Sequence, residues 1–379
     1  MGYAIFDASY YPSPQLGVAA QMILDDMGDL YDKEGRDGAL VSCVHPLQSR
    51  EVEHIAKKYK RVIVGGPGAL SPGAFEAASL VVLGDYRGVL AALPRGLSDV
   101  AALPNAYNPM APAPVEIDLS FPYSKSSRYR GEDGRLQVFC SRGCKHRCAF
   151  CQTGWATTFS EHPIPESIIN LPTHEKYNYM SNALSDVSFA PRLPRDISAS
   201  HTLREAAHSN AMGRLVRVGV EGVSERLRRA VGKPISNENL VNWTLSLNER
   251  GVQVRWFMIA GLPGETTDDW EELRDCVKAY SMAHERGTLQ ISFTAYVPEP
   301  ATPIASLPYS DDYYENYKRF ADWYFNLARI NHLSIFKCQG VQNRALKAAA
   351  QMHLNNRYVL YPHRDKLAAG LKCYKDAMK

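Results

Sequence analysis

VFCSRGCKHRCAFCQT, residues 138–153, is the stretch on which the reading of the whole chain turns. Cys144, Cys148 and Cys151 stand in it as C-x3-C-x2-C, three thiols on one short loop. Soft ligands this close in sequence suit a single metal centre, and iron–sulfur clusters are held by such thiolates. A cubane cluster carries four irons, so three cysteines leave one iron open to a small molecule. Two other assignments use the same residues. A zinc knuckle takes a fourth ligand, which Cys140 or His146 supplies, although zinc sites more often join two separated pairs of ligands. Cys140 can also complete a four-cysteine electron-transfer cluster, but its place directly after the apolar Val138 and Phe139 reads as a strand residue.

The spacing resembles the signature of the radical S-adenosylmethionine superfamily, whose pattern also favours an aromatic immediately before the last cysteine, here Phe150. The resemblance implies a 4Fe–4S cluster on Cys144, Cys148 and Cys151, with Phe150 shielding the adenine side of the bound nucleoside. It further implies that the open iron chelates the amino and carboxylate groups of S-adenosylmethionine, which is cleaved reductively to a 5′-deoxyadenosyl radical. An external electron donor of flavodoxin or ferredoxin type is implied with it.

Composition sets the surroundings of this loop. The 379 residues can bury one large core or two smaller ones, and the length suits two or three domains. No run of about eighteen apolar residues occurs, so no membrane span is expected. The opening MGYAIFDASYYPSP lacks a basic leader followed by an apolar core, so no secretory signal is expected. Eight cysteines, three of them clustered, fit a reducing compartment better than a disulfide framework, which makes a cytoplasmic protein the expectation. A net charge of +3 is too small to call for a nucleic-acid partner.

Before the cysteines, strands at 3–10, 38–44, 61–68 and from 79 alternate with helices at 14–29 and 49–59 and a further helix before 93. Such alternation predicts a parallel sheet covered on both faces, with ligands at the carboxyl ends of its strands. Those ends carry Ser42 and Cys43, then Gly65, Gly66 and Pro67, then Gly84 and Asp85. Together the serine-ended strand, the VGGP turn and the VVLGD strand resemble the cobalamin-binding domain that precedes the radical domain in one large branch of the superfamily. The resemblance covers about residues 1–95 and implies cobalamin contacts at Ser42, Gly65, Gly66, Pro67 and Gly84. The sheet is abbreviated, with four strands where that domain has five, the second strand and its helix missing and no D-x-H-x2-G sequence. Tight turns need glycine whatever they bind, so a domain that only packs against its neighbour fits as well.

Residues 103–127 hold five prolines and few periodic apolar positions, which marks a surface connection. After it, strands are expected at 135–139, 176–186, 196–200, 214–224, 252–265 and 289–303. Between them, Ser236 is placed to cap a helix over 237–250 that Gly251 ends, and Thr267 to cap one rich in Asp and Glu at its start. The repeated pattern predicts a partial (β/α)6 barrel of TIM type, with its active site at the carboxyl face. The domain plan is therefore 1–100, an abbreviated Rossmann-like (flavodoxin-like) α/β domain; 101–134, linker; 135–310, partial barrel; and 311–379, a helical, basic C-terminal region.

Several barrel segments resemble the same superfamily. VGVEGVSERLRRAVGKPIS, 218–236, is similar to its fourth-strand motif, which implies that Glu221 accepts hydrogen bonds from the ribose hydroxyls and that Arg226 or Arg228 faces the methionine carboxylate. Ser224 and Lys233 match motif positions, whereas Gly222 stands where serine is common. IAGLPGET, 259–266, resembles the fifth-strand turn, placing Gly261 close to adenine, and VPEPATP, 297–303, resembles the sixth-strand lip. Asn182 is the candidate near the methionine amino group. Without the resemblance, Glu221 is a solvated strand-end residue and 259–266 an ordinary strand-to-helix turn.

Residues 311–331 read as an aromatic-rich packing helix, and from 342 onward basic residues outnumber acidic ones, with Tyr358, Tyr361 and Tyr374 interspersed. Such a stretch can bind nucleic acid but more often forms a solvated helix face. Taken together, the resemblances imply a radical S-adenosylmethionine enzyme. Methyl transfer to an unactivated carbon follows if the first domain holds cobalamin, and rearrangement, cleavage or ring formation if it does not. A non-catalytic iron–sulfur or zinc protein that binds nucleic acid is the alternative from another class.

Overall fold

The computed structural model describes residues 2–44, 48–70, 72–111, 115–116, 129–130, 134, 136–139, 141–156, 159–161, 177–180, 200–201, 215–283, 289–299, 302–310, 312–331, 334–339, 359–360 and 366–378. In the first part, β1 (Tyr3–Asp7), β2 (Gly38–Ser42), β3 (Val62–Gly65) and β4 (Leu80–Val82) lie parallel in that order, with β5 (Ala106–Tyr107) antiparallel on the far edge. The strands are apolar at almost every position because both faces are covered. Val41, Val64 and Val81 pack with Val52, Ile55 and Phe75 of α2 (Ser49–Ala56) and α3 (Pro72–Ala77). Leu40, Ile63 and Leu80 pack on the opposite face with Met22, Val89, Leu90 and Val100 of α1 (Val18–Met27), α4 (Arg87–Ala92) and α5 (Leu97–Ala101).

One isolated bridge adds to the sheet beyond β1. Tyr31 forms a parallel bridge with Tyr3 on the edge of β1 that β2 leaves free, and Asp32 N donates to Tyr3 O at 2.9 Å. The chain then passes back beneath the start of β1, tied by Gly2 N donating to Asp37 Oδ2 at 2.6 Å, and enters β2.

The second part is parallel as well. β6 (Leu136–Phe139) pairs with β7 (Tyr177–Met180), and β8 (Ser200–His201), β9 (Leu215–Glu221), β10 (Gln253–Ala260), β11 (Leu289–Ala295) and β12 (Ser334–Gln339) form one sheet in chain order. Helices α6 (Glu225–Ala230), α7 (Asn237–Glu249), α8 (Thr267–Ala283) and α9 (Tyr313–Asn331) separate the later strands. One core joins strands to helices, through Val218, Trp256, Met258, Phe293, Trp270, Phe320 and Tyr324. A last helix, α10 (Leu367–Ala377), returns to this body through its buried Tyr374.

The ends of these helices follow their sequence signals. Ser236 Oγ accepts from Asn239 N at 3.2 Å, and Gly251 at φ +76° closes α7 with Val252 N donating to Leu247 O. Thr266 rather than Thr267 stands before α8, since Thr266 N donates back to Asp269 Oδ2 at 2.8 Å, half of a capping box. β12 lies beyond the last strand expected from sequence, so α9 is a crossover between two strands of the sheet. Among the described residues, no helix is long and apolar enough to cross a membrane.

Candidate functional site

The cysteine loop follows β6 at the carboxyl end of the strand. Ser141 and Arg142 pair antiparallel with Ser160 and Glu161, closing the loop at its base. Inside it, Cys151 N donates to Cys148 O at 3.1 Å, and the indole Nε1 of Trp155 donates to the same oxygen at 3.0 Å. Gly154 is required because a β-carbon there would run into the carbonyl oxygen of His146. The loop is also fastened from outside. Ala149 N donates to Val231 O at 3.1 Å, and Gln152 N donates to Glu299 Oε2 at 2.7 Å.

Cys148 is 6% exposed, and Cys144 and Cys151 are half-buried. Burial pushes the Cys148 thiol up to about 12; Lys233 draws it down, while Cys151, Glu221 and Cys144 raise it. Burial and then Glu299 push Cys151 up to about 11, with Thr153 hydrogen bonds acting in the opposite sense. The three thiols therefore share one electrostatic environment, and ionising all of them needs positive charge among them. That is the donor chemistry of a thiolate-held metal centre. Among the described residues, no three His, Cys, Asp or Glu side chains converge in the way that would hold a single metal ion. Cys140 and Asn182 lie outside the described residues.

Beside the loop, β9 ends on a distorted carboxylate. Glu221 has φ +70°, the left-handed region that a residue with a β-carbon enters at a cost, and the register of β9 on β10 shifts between Gly219 and Glu221. Its Oε1 accepts from Lys233 Nζ at 3.2 Å, and the same ammonium donates to Gly219 O at 3.1 Å. A side chain at 219 would collide with the Glu221 carboxylate, so the glycine makes room for the pair. Burial lowers the Lys233 pKa, but Glu221, Cys148 and Cys151 outweigh it, and the net shift is upward.

The remaining expected contacts fall in different places. Ser224 is fully buried as the cap of α6, accepting from Leu227 N at 3.3 Å and donating to Asp269 Oδ1 at 2.5 Å. Arg226 pairs with Asp269 at 2.6 Å and donates to Gly264 O at 3.2 Å. Arg228, also fully buried, donates to Ile235 O at 2.8 Å and to the Asn237 side chain. Phe150 packs half-buried on the main core. Gly261, at φ +87°, needs no side chain because the Tyr313 ring lies where one would start. Its turn is gripped by Glu265, which accepts from Gly261 N at 2.9 Å, Leu262 N at 3.3 Å and Trp270 Nε1 at 2.8 Å. Lys233, Glu265 and Glu299 were given no role from the sequence. Only their places in motif-like stretches marked them, because their partners lie elsewhere in the chain.

In the first sheet, Ser42, Gly65 and Gly84 stand at or just beyond the carboxyl ends of β2, β3 and β4, as expected. Gly66 has φ +99°, and a β-carbon there would meet the carbonyl oxygen of Cys43. Pro67 opens a helical turn over Pro67–Leu70, and Gly68 N donates to Cys43 O at 3.0 Å. Asp7, at the end of β1, accepts from Ser9 N at 2.9 Å and Gly17 N at 3.1 Å.

No family model matches the chain. An uncharacterized protein of Methanopyrus kandleri is 31% identical over 96 residues, which is 25% of this chain and only 18% of that protein's length. Among solved structures, the radical S-adenosylmethionine methyltransferase TsrM of Kitasatospora setae, with cobalamin and a 4Fe–4S cluster bound, aligns at 14% identity and a TM-score of 0.49, over 80% of this chain and 73% of its own. OxsB, a cobalamin-dependent S-adenosylmethionine radical enzyme, aligns at 13% identity and a TM-score of 0.46 over 73% of this chain and 51% of its own. Methylornithine synthase aligns at 13% identity and a TM-score of 0.34 over 63% of this chain and 82% of its own. The solved structures that this chain resembles thus include cobalamin-dependent radical S-adenosylmethionine enzymes.

Proposed function

We propose that this protein is a radical S-adenosylmethionine enzyme whose 4Fe–4S cluster is held by Cys144, Cys148 and Cys151. One observation carries the proposal: three neighbouring thiols on one pinned loop stand beside a strained strand-end carboxylate, at the carboxyl ends of parallel strands. Strain of this kind persists where the surroundings enforce it, and it clusters at working sites. When bound, the cluster supplies the electron that reductively cleaves the sulfonium of S-adenosylmethionine. The chain's own residues bind and orient. Lys233 occupies Oε1 of Glu221, leaving Oε2 to accept from ribose hydroxyls. The turn at Gly261, the position proposed to lie close to adenine, is held in shape by Glu265, and Phe150 precedes the last cysteine. Arg226 and Arg228 are committed to Asp269 and to the turn after α6, so the methionine carboxylate is left to the open iron.

The finer architecture belongs to the same proposal: an abbreviated cobalamin-type sheet, a connection, and a barrel of six strands extended by β12. With a corrinoid on the first sheet, the reaction is methyl transfer to an unactivated carbon, fed by an external flavodoxin- or ferredoxin-like donor. The test is anaerobic reconstitution of the full chain. Iron and sulfide near four each per chain, with 5′-deoxyadenosine formed from S-adenosylmethionine under reduction, are expected. A fully loaded protein that forms none is not a radical enzyme.

One observation favours an empty first sheet. Gly66 is explained by the Cys43 carbonyl and the Gly68 hydrogen bond alone, so its turn needs no ligand to account for it. In that case the chemistry is rearrangement, cleavage or ring formation. Hydroxocobalamin that washes off the reconstituted protein on desalting selects this outcome.

A further inference from the structure

We infer that Lys233 sets the reduction potential of the centre held by Cys144, Cys148 and Cys151, its fixed charge favouring the reduced state. The inference rests on the proposed cluster and gives a second role to Lys233, which matches a motif position and holds Glu221 but was assigned no action on the cluster.

The fold delivers Lys233 by a helix ending. Gly232 takes φ +86° after α6, Gly232 N donates to Arg229 O at 3.1 Å, and Lys233 N donates to Arg228 O at 2.8 Å, the paired bonds of a Schellman reversal. The reversal carries the chain against the cysteine loop. A β-carbon on Gly232 would lie 3.7 Å from both Cys148 Cα and Arg147 O, and Ala149 N is bonded to Val231 O. From there the ammonium is pinned between Gly219 O and Glu221 Oε1, with 17% of its side chain exposed. It cannot swing into solvent without breaking both bonds.

A positive charge held near thiolates where water is largely excluded acts far more strongly than at a surface. One-electron reduction adds one negative charge to the cluster and leaves the protein unchanged, so the ammonium stabilises the reduced form and raises the midpoint potential. Glu221 acts in the opposite sense, and the two residues form one adjustable pair.

The full-length chain is reconstituted anaerobically without S-adenosylmethionine, titrated with dithionite against mediators, and followed by the electron paramagnetic resonance of the reduced cluster. Iron per chain is measured in parallel. Lys233→Met lowers the midpoint potential relative to wild type, Glu221→Gln raises it, and Lys233→Arg stays near wild type. If Lys233→Met fails to retain iron, Lys233→Gln takes its place, and a lowered midpoint in it against an unmoved Lys233→Arg decides in favour. A Lys233→Met or Lys233→Gln protein that keeps full iron at the wild-type potential, or that moves in the same direction as Glu221→Gln, overturns the inference and leaves the proposed function standing. A wild type that assembles no cluster overturns both.

Discussion

A β-carbon at residue 222 would stand 2.5 Å from Arg228 N and 2.7 Å from the Leu227 carbonyl carbon, backbone atoms of a helix that cannot retreat. Gly222→Ser, although it restores the residue common at this motif position, is therefore expected to destabilise the chain by about 1–3 kcal/mol, read as a lower urea midpoint at unchanged slope. Glu265 gives a second expectation. Burial raises its pKa from 4.5 to about 7 against the pull of Trp270, Gly261 and Leu262. The folded state then holds a proton that the unfolded state has released, so stability falls as pH rises from about 4.5 to about 7, by an amount on the order of 3 kcal/mol. Glu265→Gln removes that slope. Urea unfolding at pH 5 and pH 7.5 should show wild type losing ground to the variant, and parallel curves would refute the buried charge. The gathering of three cysteines on one loop was legible because their spacing alone sets it, whereas Glu221 was singled out only through the motif its segment resembles. The choice between Arg226 and Arg228 was not legible, because Asp269 and the Ile235 carbonyl become their partners only through tertiary packing.

Among the elements, α10 is the one whose position the sequence hid. Its composition reads as a basic surface helix, yet Tyr374 is 1% exposed and donates to Pro263 O at 2.7 Å. Gly370 faces Pro303 and Trp155, and Met378 O accepts from Arg226 Nη1 at 3.4 Å. One helix thus bears on the cysteine loop through Trp155, on the turn after β10 through Pro263 and on the lip after β11 through Pro303. Tyr374→Phe loses one buried hydrogen bond and leaves the Pro263 carbonyl unmet, at a cost of about 1–3 kcal/mol. Gly370→Val drives a branched side chain against Pro303 and Trp155, with a β-carbon 2.7 Å and 3.0 Å from their rings before any shift. Both variants should unfold earlier, and Gly370→Val should also retain less iron after reconstitution because Trp155 anchors Cys148; full iron in Gly370→Val would separate α10 from the site. Capped helices such as α7 were readable from sequence because Ser236 and Gly251 act locally. β12 was not, since Ile335 and Phe336 are too short an apolar run to mark a strand without its neighbour β11. The Tyr31 bridge is a single residue and has no pattern at all.

At the scale of the whole molecule, the described core residues divide between two bodies. The first sheet closes both of its faces with helices from residues 18–101, and Tyr129 and Arg130 add hydrogen bonds to Asp25 and Gln21. The second body packs its later strands and helices into a core that includes Tyr374 from the last helix but none of the first sheet. A sheet covered on both faces by its own chain satisfies what a domain needs, at a length ordinary for one. Residues 1–130 expressed alone should accordingly unfold in a single urea transition, whereas a featureless, non-cooperative curve would show that the sheet borrows its stability from the rest. The same division governs the response to metal. A ligand that binds only the folded form stabilises the unit that holds it, by an amount set by occupancy and affinity. Removing iron from the reconstituted chain by chelation under oxidation should therefore lower the midpoint of the unit containing Trp256 and Trp270, followed by their fluorescence, and leave the fragment of residues 1–130 untouched. Equal loss in fragment and full chain would mean that iron binds the first sheet, and the assignment of the centre to Cys144, Cys148 and Cys151 would fall with it.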